Sequence, residues 1–401
     1  MKRDSLIRLS RRWLAIGLAS CALGMLGPVS AFAQADPMLT EKRVFTLPAY
    51  TTVGGGAIKQ VRVGYESWGK LNADGSNVVF IAHFYSGTSH AAGRYKPTDA
   101  APGYWDAIIG PGKAIDTNKY FVISADTLAN LNTKDPNVTT TGPSSVNPDT
   151  GKPYGMSFPV VTMGDSVRVH KALLDSLGVK KLHAVVGASG GSIQAMEWAV
   201  MYPDFVERVI HVIGPGFSIS PWAIGLLEAW VAPIKQDPKW RGGDYYGHPE
   251  PVNGVAEALK LVTLTAGHWG WAEKSFGYKP AAADKAPGAA MDNRFLIEDV
   301  LVKAGMARAS TTDANNKIYM AKANQLFNVE AAVERMKSRI LFMPASSDLI
   351  FPPEFSRKAF ERYRALGKPA EYFELKGDRG HLEGVVSIAQ AADAIRAFLD
   401  K

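Results

Sequence analysis

Three patterns follow one another without a break at residues 181–199, KLHAVVGASGGSIQAMEWA. Residues 182–186 are a short apolar run with β-branched members, the signature of a strand buried on both faces. The run ends at Gly187-Ala188-Ser189-Gly190-Gly191, a G-x-S-x-G. Ile193, Ala195, Met196, Ala199 and Val200 then recur as the buried face of a helix. Strand, glycine turn and helix together define a tight elbow that lifts a serine hydroxyl above the end of a sheet. The backbone there tolerates only small neighbours, and Gly187 and Gly191 have no Cβ to clash. The helix start directs unpaired N–H groups towards the serine, which favours negative charge developing beside it. The bland alternative is a chance G-x-S-x-G in a chain with 38 glycines; the flanking strand and helix argue against it.

The chain has 401 residues and 46% hydrophobic composition, as expected of a globular protein with one large domain or two. Its formal charge of +7 is concentrated at the start: Lys2, Arg3, Arg8, Arg11 and Arg12 stand against Asp4, and residues 34–401 carry only +3. No basic stripe with interleaved aromatics stands out, so nucleic acid is not an expected partner. Residues 1–33 read as an export signal, with a basic start, an apolar core over residues 13–26 and a small-x-small cleavage site at Ala31-Phe32-Ala33. That core is too short for a stable membrane span. Ser10-Arg11-Arg12-Trp13-Leu14 resembles a twin-arginine motif, and ordinary secretion is an equal reading. A lipoprotein site at Cys21 is disfavoured because the following residues stay apolar. A periplasmic or secreted protein is expected, and cleavage after Ala33 would leave it without cysteine.

The alternating pattern over residues 43–68 suggests antiparallel edge strands. Residues 77–82 (NVVFIA) read as a central strand leading into His83-Phe84-Tyr85-Ser86-Gly87. In such an architecture the loop after that strand donates one N–H of an oxyanion hole and the residue after the serine donates the other; the candidates are Tyr85 and Gly190. Residues 120–124 are a further strand, 126–159 a long connection, 161–177 a helix and 206–213 a strand. Between 215 and 336 the strand rhythm gives way to helical patterns and tryptophans (Trp222, Trp230, Trp240, Trp269 and Trp271), read as a cap. The tryptophans are either cap core, which is preferred, or the lining of an apolar pocket. The sheet resumes at 340–344 and 371–375, followed by a helix over 385–399. The divisions are therefore 1–33 signal peptide, 34–214 first part of the core, 215–336 cap and 337–401 second part of the core.

A serine hydroxyl needs a base, itself oriented by a carboxylate. Asp348, on the loop after 340–344, and His381, between the last strand and last helix, come in the order Ser, Asp, His expected here. Asp378 competes as the acid, with Asp348 preferred. His83, His90, His183 and His211 read as packed histidines. Since His83 and His90 show no metal-ligand spacing, no metal is proposed. No cofactor is expected.

The residues also resemble homoserine O-acetyltransferase and its relatives in the α/β-hydrolase superfamily, from about Val44 to the C-terminus. The likeness is carried by YWDAIIGPGKAIDTNKYFVI (104–123), TGPSSVNP (141–148), the elbow, DPKWRGGDYY (237–246) and DANNKIYMAKANQLFNV (313–329). It implies an α/β-hydrolase fold, a mostly parallel sheet flanked by helices, with an inserted helical cap and often a homodimer formed through it. It places nucleophile, acid and base on Ser189, Asp348 and His381. Two arginines of members that acetylate homoserine fall on Val231 and Thr311, and the loss of such groups would remove charge-assisted bonds of about 1.5–3 kcal/mol each. The elbow departs as well, with Gly190 after the serine and Ser192 at its end.

Together these readings lead to an exported serine hydrolase acting on a small-molecule carboxylic ester through an acyl-enzyme. The alternatives are an O-acyltransferase passing the acyl group to an alcohol or amine, and a binding protein whose triad is idle.

Overall fold

The computed structural model describes residues 38–401; the export signal, Cys21 and the cleavage site fall outside them. Ten strands form in chain order: β1 (Arg43–Thr51), β2 (Ala57–Trp68), β3 (Val78–Ala82), β4 (Ile109–Gly110), β5 (Ile115–Asp116), β6 (Phe121–Ala125), β7 (Leu182–Ala188), β8 (Arg208–Val212), β9 (Arg339–Met343) and β10 (Ala370–Tyr372). Eight make one sheet in the order β1-β2-β6-β3-β7-β8-β9-β10. β1 and β2 are antiparallel at one edge and β2 is antiparallel to β6, while the pairings from β6 to β10 are parallel. The interior strands are apolar on both faces because helices cover both. Val78 and Phe80 enter one core cluster and Val79 and Ile81 the other, as the two-residue side-chain period requires. Each such side chain contributes about 1.5–3 kcal/mol by leaving water.

Helix α1 (Met163–Ser176) starts at a capping box, in which Thr162 and Asp165 satisfy each other's backbone N–H groups. Helix α2 (Gly190–Met201) follows β7 directly and is buried on nearly every side. Between β8 and β9 come only helices: α3 (Pro221–Ala229), α4 (Ala232–Gln236), α5 (Val252–Ala266), α6 (Trp269–Ser275), α7 (Leu296–Ala309) and α8 (Ala314–Gln325), with short 3-10 turns. Helix α9 (Pro353–Ala365) precedes β10. The helix expected over 385–399 is broken. It forms as α10 (Glu383–Val386), a 3-10 turn (Ile388–Ala391) and α11 (Ala392–Leu399). The break falls at Ser387, and next to it the Gln390 side chain exchanges two hydrogen bonds with the Lys376 backbone, docking the turn on the loop after β10. The short parallel pair β4–β5 was not foreseen.

The chain leaves β3 for β6 on one side of it and later returns to β7 on the other. Such a reversal opens a crevice at the carboxyl ends of the strands. Ala82 pairs with Gly187, so the loops leaving β3 and β7 start level with each other.

Candidate active site

Ser189 sits at the junction of β7 and α2 with φ 55° and ψ −118°, a conformation costly for any side chain. Its N–H donates to Val212 O at 2.9 Å, and its carbonyl accepts from the Ser192 and Ile193 N–H groups. The turn closes this tightly only because two glycines permit it. A Cβ on Gly187 would lie 2.1 Å from Gly191 O, and one on Gly191 would lie 2.0 Å from Ala82 O. Backbone atoms cannot give way at those distances, so the elbow helix packs against β3 only with glycine at both positions.

The loop after β3 is held from beneath by the segment that follows β6. His83 donates from Nδ1 to Phe84 O at 2.9 Å, and its Nε2 accepts from Thr127 N at 3.1 Å. Burial pushes its pKa down. Asp126 Oδ1 accepts from Ser89 N, while Asn130 and Asn132 donate to Gly87 O and Ser86 O. Among the described residues neither Tyr85 N–H nor Gly190 N–H donates a hydrogen bond within the chain. The two are neighbours, since a Cβ on Gly190 would stand 3.1 Å from Tyr85 N.

His381 and Asp348 are joined, Nδ1 to Oδ2 at 2.7 Å. The other carboxylate oxygen accepts from Ile350 N at 2.8 Å and Phe351 N at 3.0 Å. Asp378 does not reach His381; it pairs with Lys274, which holds its carboxyl below the usual range. No hydrogen bond joins Ser189 to His381 in this structure. What connects them is Phe351, whose ring lies 5.6 Å from the imidazole and lines the same cavity as Ser189. Contacts between a candidate nucleophile and its base often tighten only when substrate is bound. The other histidines considered are packed ones. His90 bonds to Glu66 and stacks on Tyr95, His183 bonds to Leu399 O, and His211 is fully buried, its pKa lowered to about 3.

The cavity at Ser189 is about 20 Å³, walled by Tyr85, Ala223, Leu227, Trp230, Asn324 and Phe351 among others, with no charged side chain. Val231 is buried in the apolar core, and the Thr311 hydroxyl donates to Arg308 O. Trp230 is cap core and also lines this cavity, whereas Trp222 and Trp269 are 56% and 71% exposed, which corrects the preferred core reading for those two. Among the described residues no cluster of three or more His, Cys, Asp or Glu could hold a metal, and no helix is long and apolar enough to cross a membrane.

Lys317 went unnoticed in the sequence. It is fully buried, and its Nζ donates to the Tyr85 hydroxyl at 3.2 Å and lies 5.0 Å from the ring centroid. Burial, then the nearby Arg308 charge, hold its pKa well below the ordinary lysine value. The available signal was α8 itself, which is buried nearly all round yet carries Asn315, Asn316, Lys317 and Asn324. A buried lysine whose pKa is held well below its unfolded value opposes folding below pH 10.5, and the opposition fades as pH rises towards that value. Lys317→Met is therefore expected to stabilise the fold by on the order of 1–3 kcal/mol at pH 7, with the gap narrowing as pH rises and closed by pH 10.5. Thermal unfolding at both pH values checks this, and a destabilised variant at pH 7 would contradict it.

A glycine-flanked serine at the crevice of a parallel sheet, roofed by helices, is the arrangement of the α/β hydrolases, and a family model described as alpha/beta hydrolase fold matches residues 100–382. Homoserine O-acetyltransferase of Symbiobacterium thermophilum is 38% identical over 356 residues, covering 86% of this chain and 91% of the relative. The crystal structure of homoserine O-acetyltransferase from Bacillus anthracis superimposes with a TM-score of 0.86 at 36% identity, covering 91% of this chain and 98% of that one. The chain belongs to the homoserine O-acetyltransferase family of α/β hydrolases. The crystal structure of esterase E22 also superimposes, with a TM-score of 0.85 at 47% identity over 90% of this chain and 100% of that one.

Proposed function

We propose that the chain is a serine hydrolase of carboxylic esters. Ser189 Oγ attacks the ester carbonyl and its proton passes to His381 Nε2, while Asp348 holds the imidazolium at Nδ1. The oxyanion is taken by the N–H groups of Tyr85 and Gly190; a single donor of this kind can contribute about 3–4 kcal/mol. His381 then gives the proton to the departing alkoxide oxygen, leaving the acyl group on Ser189. Water, deprotonated by His381, releases the acid. The observation that carries hydrolysis is the absence of any charged side chain from the cavity at Ser189, because an amino-acid acceptor would need a cation for its carboxylate. The identity to esterase E22 supports the same reading. So does the leader read at residues 1–33, since export would part the enzyme from acyl-CoA.

The second reading is an O-acyltransferase that passes the same acyl group to an alcohol or amine. The named relatives support it more strongly than hydrolysis, since those compared at 33–38% identity are homoserine O-acetyltransferases. Partitioning of the acyl-enzyme decides between them. With p-nitrophenyl acetate alone, steady release of nitrophenol and acetate in equal amounts is expected, and added homoserine should yield no acetylhomoserine. A nitrophenol burst that stalls without acceptor and resumes with homoserine would replace hydrolysis by transfer.

A further inference from the structure

The cap holds a second, larger opening that the chemistry above does not use. It is an apolar cleft of about 390 Å³, lined by Trp222, Leu226, Leu264, Trp269, Trp271 and Leu349 among others, within the usual size range of small-molecule sites. Leu226 lines both this cleft and the cavity at Ser189, and Leu349 is followed directly by Ile350 and Phe351 of that cavity. Both walls are fastened to the loops that bear the acid and the base. Trp222 Nε1 donates to Leu349 O at 2.9 Å, one residue from Asp348. On the other side Gly380, next to His381, packs so closely on Ala266 and Gly267 that a Cβ would lie 2.8 Å from Ala266 O. His268 caps the helix carrying Trp269 and Trp271 by accepting from Gly270 N at 3.1 Å.

We infer that this cleft binds the alcohol portion of the substrate, so that the preferred substrates are short-acyl esters of bulky apolar or aromatic alcohols. The inference rests on the hydrolase reading and adds the direction in which the ester lies. In that mechanism the histidine returns its proton to the leaving oxygen, so the alcohol must lie on the His381 side, and it is to the loops bearing Asp348 and His381 that the cleft's walls are fastened. The acyl group stays against Ser189, where the space amounts to roughly one or two water molecules and accepts little more than an acetyl group. Three tryptophans on the rim give an aromatic alcohol stacking partners in addition to burial.

The test compares ethyl acetate, 2-naphthylmethyl acetate and ethyl octanoate, whose leaving groups are all unactivated primary alcohols. kcat/KM is expected to be highest for 2-naphthylmethyl acetate and lowest for ethyl octanoate. In Trp269→Ala the ratio of kcat/KM for 2-naphthylmethyl acetate over ethyl acetate should fall by about tenfold, through KM. Binding is read independently by quenching of tryptophan fluorescence with 2-naphthylmethanol in Ser189→Ala, and should weaken when Trp269→Ala is added. A preference for ethyl octanoate would place the acyl chain in the cleft and overturn the inference. So would an unchanged ratio in Trp269→Ala, or a change in that variant's oligomeric state without a change in ratio. Full activity in Ser189→Ala would instead remove the underlying mechanism, and it is scored separately.

Discussion

Ser189→Ala is expected to lower kcat/KM for p-nitrophenyl acetate by about 10⁴-fold or more while leaving the fold intact. The two halves of that expectation have separate grounds. In the proposed mechanism turnover depends on a covalent acyl-serine, and the one other hydroxyl in the cavity's wall, the Tyr85 phenol, cannot substitute because burial raises its pKa and hydrogen bonds tie it to Lys317. Stability does not depend on the Ser189 hydroxyl, which makes no hydrogen bond among the described residues, whereas the Ser189 backbone N–H and carbonyl keep theirs in any variant. Position 189 also carries strain, with φ at 55°, and alanine inherits it. Glycine relieves it, so Ser189→Gly should be as inactive as Ser189→Ala but more stable by about 1 kcal/mol. Steady-state kinetics with thermal unfolding of both variants measures this. Wild-type turnover in Ser189→Ala, or equal stability of the two, contradicts the respective half.

The parts legible in the sequence are those where one residue type has one physical use. β3 is an uninterrupted apolar run and β7 is broken only by His183, because helices cover both faces of the sheet, and Gly187 and Gly191 mark backbone contacts at which a Cβ has no room. The preference for Asp348 over Asp378 followed from its place after a strand, and the hydrogen bond to His381 falls on that residue. Other features depend on contacts that spacing does not encode. β4 and β5 have two residues each, too few to show a period. The last helix breaks where Gln390 finds a distant backbone partner, although its apolar spacing continues across the break. Trp222 and Trp269 read as core because large aromatics usually are, yet they rim an open cleft. Lys317 looks from sequence like an ordinary solvent-facing helix residue, because only the packing of α8 reveals that its own face is buried while Lys322 is the one that reaches water.

Asp348→Asn should cost about 10⁴-fold in kcat with little loss of folded protein, and the reason lies in how three donors share one carboxylate. Ile350 N and Phe351 N both point to Oδ1, and His381 Nδ1 donates to Oδ2. The side chain is fully shielded from water, so its partners have no substitute. Asparagine has one acceptor oxygen and one donor NH₂. Turning the oxygen towards the two backbone N–H groups keeps two bonds, and turning it towards His381 keeps one while setting NH₂ against two donors, so the first orientation wins. The amide NH₂ then faces Nδ1, which must become the acceptor and shed its proton. That proton, the only one on a neutral imidazole, moves to Nε2, the atom that in the proposed mechanism receives the proton of Ser189, and the base is blocked although no heavy atom has moved. Asp378→Asn, which breaks only the exposed pair with Lys274, should leave kcat within about twofold. Turnover numbers for the two variants decide the matter: equal losses, or a loss confined to Asp378→Asn, would mean that the imidazole takes its orientation from some group other than Asp348.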